Sequence, residues 1–319
     1  MSDTGLRRFR WYGRVLATDL PFVVRLPEAI GAAEVTLKLV DGSDRPDAGH
    51  ERGRRIFPAD CKPENDSWLE AFVDRDRYRL RCVGLVDFEI SGDRIECRLS
   101  GGTPAEAEAF FLGLVSALWL ELRGALCLHG AAVATPLGAA GFLGFNRAGK
   151  SSLAASLLAA GCSLLTDDVL ALDVEPNRIF ARPGFPQIRL WPASAEVLVA
   201  DAQELEPVHP DFDKRRVPIG PQGLGAFHDQ SEQLRALFLP DRTGGAVELS
   251  RLAPRDVAIE LVRHSFLGAL GEAAIGVTSR FERIVAVAER IPVFRLAYPN
   301  GLEHLGTVCQ AVLERLETL

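Results

Sequence analysis

Eight consecutive residues, Gly144-Phe-Asn-Arg-Ala-Gly-Lys-Ser151, fit the pattern G-x-x-x-x-G-K-[ST] of a phosphate-binding P-loop. The glycines let backbone N–H groups turn inward around phosphate oxygens, and Lys150 reaches the outer phosphates. The Ser151 hydroxyl can complete a Mg²⁺ shell. Gly144, Asn146, Arg147, Ala148, Gly149, Lys150, Ser151 and Ser152 are therefore the candidate nucleotide-binding residues. Asp167 and Asp168 stand 17 and 18 residues beyond Lys150. Two adjacent carboxylates suit two jobs, one on Mg²⁺ and one taking a proton from an attacking hydroxyl. His129, ahead of the loop, is a candidate to orient or deprotonate an acid beside the phosphate.

The surrounding pattern predicts the elements that would hold these groups. Ala139–Leu143 is a short apolar run that reads as a strand, and Ser151–Ala160 is Ala- and Leu-rich, with Gly161 as its stop. Ala125–Ala134 reads as a further strand, joined by the short turn Thr135-Pro-Leu-Gly138, so the two must form an antiparallel hairpin. Pairing Val133 with Ala139 would set His129 opposite about Leu143, at the mouth of the loop. Cys162–Thr166 is expected to be the strand that ends at the Asp pair, with Val169–Leu172 following it.

Upstream, residues 1 to about 102 read as β-rich. Alternating segments lie at Arg14–Ala17, Phe22–Leu26, Glu34–Val40, Tyr78–Val83, Asp87–Ile90 and Arg94–Leu99. Asp41–Arg55 reads as a polar surface loop carrying a solvated His50. Thr103-Pro-Ala-Glu106 is a capping box opening a helix to about Arg123. Downstream, strands are expected at Arg235–Leu239, Ala246–Leu249 and Ile291–Leu296. Helices are expected from Pro254 to about His264, from Ser279 to Arg290 and from Leu302 to Leu316. The division expected is a β-rich domain over 1–102 and a P-loop domain over 103–319. Lys214-Arg-Arg216 suggests either a mobile loop that closes a cation over the phosphate or a solvated charge run, and Gly220–Gln230 reads as flexible. His264 reads as structural, and His209, His228 and His304 have no recognisable partner.

A net charge of −7 argues against a sequence-independent nucleic-acid binder. The six cysteines are scattered, with no C-x-x-C, and read as reduced thiols rather than zinc ligands. The start of the chain shows no signal peptide, and Phe110–Leu120 is too short to span a membrane, so a cytoplasmic protein is expected.

His129-Gly130, the hairpin, Gly144–Ser151 and Leu164-Leu-Thr-Asp-Asp168 together resemble the C-terminal domain of HPr kinase/phosphorylase. They are most similar to those of its relatives that accompany lasso-peptide biosynthetic genes. The similarity continues at Pro183-Gly-Phe-Pro-Gln-Ile-Arg-Leu-Trp191, Tyr12-Gly13 and Val293-Phe-Arg-Leu296. It implies an α/β (mixed α+β) protein with a P-loop core of the HPr kinase/phosphoenolpyruvate carboxykinase type and a mixed sheet. It also implies an ATP- and Mg²⁺-dependent kinase that phosphorylates a serine of a peptide or protein, a lasso-type precursor among them, and a homo-oligomer by analogy. Under the same resemblance Asp167 is the general base, assisted by His129. Asp168 and Ser151 are the Mg²⁺ ligands, Lys150 holds the transferred phosphate, and Arg189 is an active-site arginine. Two positions depart from the family pattern. Gln187 stands where an acidic residue is usual, and Phe145-Asn-Arg-Ala148 replaces Asp-Ser-Gly-Val in the loop. An ATPase without an acceptor, a carboxykinase-like enzyme, and a kinase of an HPr-like protein or a small hydroxylated molecule are the alternatives.

Overall fold

The computed structural model describes residues 5–40, 53–57, 69–209, 212–221 and 223–319. His50, Cys61 and most of the Asp41–Arg55 segment lie outside them, as does the side chain of His209. The chain divides into two compact units, Met1–Arg123 with Leu267–Val277, and Gly124–Phe266 with Thr278–Leu319. The helical segment opened by the capping box thus belongs to the first unit, whereas the sequence pattern grouped it with the second. Its Phe111 stacks on Trp11 at 5.2 Å, and Trp119 lies 5.3 Å from the same ring, so its apolar stripe is spent on the first unit's core.

The first unit is an eight-stranded sheet built from β1 (Arg7–Trp11), β2 (Arg14–Thr18), β3 (Val35–Leu39), β4 (Arg54–Phe57), β5 (Leu69–Asp74), β6 (Arg77–Cys82), β7 (Val86–Ser91) and β8 (Arg94–Leu99). The spatial order is β1-β2-β3-β8-β7-β6-β5-β4. Two helices, α1 (Pro104–Phe110) and α2 (Ser116–Leu122), are joined by a π-helical turn at Phe111–Val115, and Thr103 and Glu106 form the capping box. Phe22–Leu26 is not a strand, contrary to its alternating pattern. The buried carboxylate of Glu108 accepts hydrogen bonds from the Val23 and Val24 N–H groups, taking the donors a sheet ladder would need.

The second unit carries β9 (Leu126–Thr135), β10 (Gly138–Leu143), α3 (Lys150–Ala159), β11 (Ser163–Thr166), β12 (Val169–Val174), β13 (Ile179–Ala181), β14 (Gln187–Leu190) and α4 (Pro192–Leu198). It continues through β15 (Pro207–His209), β16 (Phe212–Pro218), β17 (Ala226–Phe227), β18 (Glu232–Asp241), β19 (Glu248–Arg251) and α5 (Pro254–Arg263). A short helix, α6 (Ala269–Ile275), falls in the first unit. The chain closes with α7 (Val277–Arg290), β20 (Val293–Ala297) and α8 (Leu305–Glu317). The architecture is mixed α/β, with a nine-stranded mixed sheet and a separate three-stranded sheet β14-β16-β15. Strand pairings form a closed circuit, from β9 to β12, β13, β18, β10 and back to β9.

The β9–β10 hairpin is present, but Val133 pairs with Ala140 rather than Ala139. Only Pro136 and Leu137 lie in the turn, and Gly138 sits at φ +115°, so the ladder already starts at Thr135–Gly138. Leu143 therefore faces Gly130, and His129 lies one residue past the end of the ladder. The Glu248–Arg251 strand starts two residues later than Ala246, and α7 begins at Val277 rather than at a Ser279 cap. Ser279 Oγ instead accepts a hydrogen bond from Arg283. The Gly220–Gln230 segment, expected to be flexible, contributes β17, which pairs in parallel with β11. No helix among the described residues is long and apolar enough to cross a membrane.

Candidate active site

β9 is the strand around which the site is arranged. β10 and β11 both pair with its residues Ala132–Ala134, so they occupy opposite edges. β12 pairs with Leu126–His129, which leaves Asp167 and Asp168, between β11 and β12, level with Gly130 and Ala131. The Gly130 N–H donates to the Asp168 carbonyl at 3.1 Å, while Leu143, the last residue before the glycine loop, pairs with Gly130. One residue of β9 thus aligns the loop entrance with the carboxylates. A Cβ on Gly130 would come within 2.8 Å of Leu143 Cδ2 and of the Phe142 carbonyl, so the close approach needs glycine.

Residues 144–149 curl between β10 and the first turn of α3. Arg147 and Gly149 take left-handed φ angles of 66° and 99°. A Cβ on Gly149 would sit 2.8 Å from the Tyr298 hydroxyl, so this glycine serves both the turn and the packing. Lys150 is buried, and its Nζ donates to the carbonyls of Gly144 (2.7 Å) and Phe145 (3.2 Å). Burial pulls its pKa down to about 8, against the opposing pull of Asp167.

The two carboxylates face different partners. Ser151 Oγ donates to Asp167 Oδ1 at 2.9 Å, and the Arg189 backbone N–H donates to Asp167 Oδ2 at 2.8 Å. Asp168 Oδ2 accepts from Arg189 Nη1 at 2.9 Å, and its Oδ1 lies 3.3 Å from His129 Nδ1. The sequence reading set Ser151 beside Asp168 and His129 beside Asp167, and the structure pairs them the other way round. The reason is local. The β9–β11 register shifts between Leu164 and Thr166, and Asp168 adopts φ 77°, which sends its side chain away from that of Asp167. Burial pushes the Asp167 carboxyl up, partly offset by the Arg189 N–H. Burial also opposes ionisation of Asp168, but Arg189 and His129 override it and hold that carboxyl well below the usual carboxylate range.

A cleft in front of the loop is lined by Asn146, Arg147, Gly149, Lys150, Ser151 and Ser152, together with Arg189, Leu190, Trp191 and Lys214. Ser152 Oγ pairs with Ser194 Oγ at 2.9 Å, so its hydroxyl is engaged with α4. Lys214, Arg215 and Arg216 are not a loop. They lie on β16, where Arg216 pairs with Arg189 and Arg215 with Leu190. Arg215 and Arg216 donate to the carbonyls of Leu205, Pro207 and Val208, which leaves Lys214 as the member lining the cleft. Trp191 gathers the outer cations, with the Arg147 guanidinium 4.8 Å and Lys214 Nζ 5.7 Å from its ring. Neither this aromatic nor Lys214's place beside it could be read from local pattern. The signal that existed was the strand-like sequence of residues 212–218.

On its other flank the loop borders a cleft of about 390 Å³ lined by Arg147, Ala148, Pro240, Asp241, Arg242 and Asn300. Arg242 braces this flank, with Nη1 donating to the Arg147 carbonyl at 3.2 Å and Nε to Asn300 Oδ1 at 2.8 Å. His264 is buried against Phe145, ring to ring at 4.7 Å, with its Nε2 3.5 Å from Glu260 Oε2 rather than in wholly apolar surroundings.

No family model matches the chain, and no curated protein matches it. Among solved structures it matches the HPr(Ser) kinase/phosphatase from Coxiella burnetii at 12% identity. That match covers 60% of this chain and 97% of the other, with a TM-score of 0.30.

Proposed function

We propose that the chain is an ATP- and Mg²⁺-dependent kinase that transfers the γ-phosphate to a serine hydroxyl of a peptide or protein, a lasso-type precursor peptide being the acceptor class the sequence resemblance favours. The observation that carries this reading is the convergence of Lys150, Ser151, Asp167, Asp168, His129 and Arg189 where β9 aligns the loop with the Asp pair. The loop amides and Lys150 hold the β- and γ-phosphates, and the cleft by Arg242 and Asn300 takes the nucleoside end. Ser151 and Asp167 offer two hard oxygen donors 2.9 Å apart, a set that suits Mg²⁺ shared with nucleotide phosphates. A Mg²⁺ held by Ser151 and Asp167 would supply charge neutralisation to the phosphates.

The chain's own groups then divide the remaining work. Asp168, kept ionised by Arg189 and oriented by His129, accepts a hydrogen bond from the acceptor hydroxyl. It takes that proton as the O–P bond to the acceptor forms and the bond to ADP breaks. Arg189 and Lys214 place positive charge at the cleft and balance the charge that spreads over the transferring group. Incubation with ATP labelled at the γ-phosphate tests this, with and without serine-containing precursor peptides. Label on the peptide is expected. Release as free phosphate alone, unaffected by any acceptor, would replace the kinase with an ATPase.

A further inference from the structure

We infer that a second anion-binding site exists, built from Arg178, Arg235, Arg251 and Arg290, and that it takes a small polyanion with two or more phosphate or carboxylate groups. The four arginines line one cleft of about 360 Å³, together with Asn177 and Gln233. They come from four places in the chain: the β12–β13 turn, the start of β18, the end of β19 and the last residue of α7. Convergence from four elements is a built arrangement rather than one basic run.

The charges there are uncompensated. Elsewhere on the same sheets arginines pair with carboxylates, Arg182 with Asp173 at 2.9 Å and Arg295 with Asp241 at 3.4 Å. None of the four makes an ion pair with a carboxylate side chain among the described residues. Arg290 Nη1 donates to the Glu175 carbonyl at 2.7 Å, which anchors that side chain without neutralising it. Arg235 is held most firmly. Its stem crosses Gly138, where a Cβ would fall 2.5 Å from Arg235 Cγ, and its Nε is buried with no hydrogen-bond partner. A buried N–H without an acceptor is costly, and an anion in the cleft would supply one. Guanidinium forks match phosphate and carboxylate oxygens in pairs, and four of them suit more than one anionic group.

This site is separate from the glycine loop. β18 runs in parallel beside β10, with Leu234 level with Ala139 and Phe238 level with Phe142. Arg235 therefore lies at the start of the strand whose far end reaches Arg242 and the loop, roughly 20 Å away at the rise of an extended chain. The inference does not depend on the kinase reading.

Calorimetric titration with inorganic tripolyphosphate and, separately, with citrate tests it, on the wild type and on an Arg178→Ala/Arg251→Ala double variant. Both residues are exposed and neither guanidinium bonds within the fold among the described residues, so the variant is expected to fold, which circular dichroism checks. The expected result is binding to the wild type that weakens about tenfold or more in the double variant and with added salt. Arg178→Lys/Arg251→Lys should fall between, since charge is kept and the fork is lost. Lys150→Ala serves as the control for the loop. Tripolyphosphate binding that Lys150→Ala removes and the arginine variant leaves intact belongs to the loop, and with citrate binding also unchanged in the arginine variant it overturns the site. If the wild type binds neither anion, the site is overturned as well. Loss confined to the tripolyphosphate arm or to the citrate arm identifies phosphate or carboxylate as the group bound.

Discussion

The two ends of β18 handle positive charge in opposite ways. At its C-terminal end, beside the glycine loop, the cations are already engaged: Arg189 with Asp168, Lys150 with two loop carbonyls, Arg242 with Asn300. At its N-terminal end Arg235 and its three neighbours line a cleft and make no ion pair with a carboxylate side chain among the described residues. The first arrangement is preorganised for chemistry. Under the proposed kinase reading, donors and acceptors that already hold one another would leave little reorganisation to the reacting step. The second is organised only for capture, because its charges gain their partners when an anion enters. The carboxylates make the difference, and removing them one at a time separates the two designs.

The largest effect is expected at Asp168. Asp168→Asn removes the carboxylate proposed to face the acceptor and leaves Arg189 without its partner, so kcat should fall about 10²–10⁴-fold while ATP still binds. Asp167→Asn should act differently. It faces Ser151, so the Mg²⁺ concentration needed for half-maximal rate should rise about 10–100-fold, with a kcat loss that excess Mg²⁺ largely recovers. Steady-state kinetics across a Mg²⁺ series distinguishes them. If Asp167→Asn abolishes kcat at all Mg²⁺ concentrations while Asp168→Asn only shifts the Mg²⁺ requirement, the roles stand as the sequence resemblance assigned them.

That pair also shows where sequence reading stops. The loop, its flanking strand and helix, and the carboxylates were legible because each is encoded within a few residues. Which carboxylate meets Ser151 was not, because it turns on one left-handed residue, Asp168, and a register shift at Leu164–Thr166. The hairpin was legible but its register was off by one, since the turn depends on what Gly138 packs against, the Arg235 stem from β18. Phe22–Leu26 alternates like a strand, yet Glu108, some 85 residues on, claims its amides. The arginine cleft was invisible for the same reason. Residues 178, 235, 251 and 290 meet only once β18 joins β13 and β20.

A pH series should separate the two ends next. With no divalent cation present, tripolyphosphate binding at the loop needs a protonated Lys150, whose pKa is brought down to about 8 by burial. Below that pH the lysine is charged and binding is at full strength. Above it each further unit should weaken loop binding by up to about tenfold. The arginine cleft should show no such slope, because guanidinium stays protonated throughout. Titrations on Arg178→Ala/Arg251→Ala isolate the loop, and those on Lys150→Ala isolate the cleft. A loop affinity that stays flat from pH 7 to well above 8 would mean that Lys150 remains charged despite its burial.

The smallest effect concerns the basic run on β16, where neighbouring cations differ only in what they touch. Lys214 lines the cleft beside Trp191, whereas Arg215 and Arg216 spend their donors on the carbonyls of Leu205, Pro207 and Val208. Lys214 is half-buried, so its attraction for phosphate is partly screened by water and salt. Lys214→Ala should raise the KM for ATP roughly fivefold at low salt, and less as salt is added. Arg216→Ala should leave KM unchanged and lower the melting temperature instead, since it loses hydrogen bonds to the Pro207 and Val208 carbonyls of β15. A run of like charges would predict equal losses for both. A hinged lid would predict that either variant lowers kcat by slowing closure. Only a strand that turns one of its cations toward the phosphate predicts the split between KM and stability.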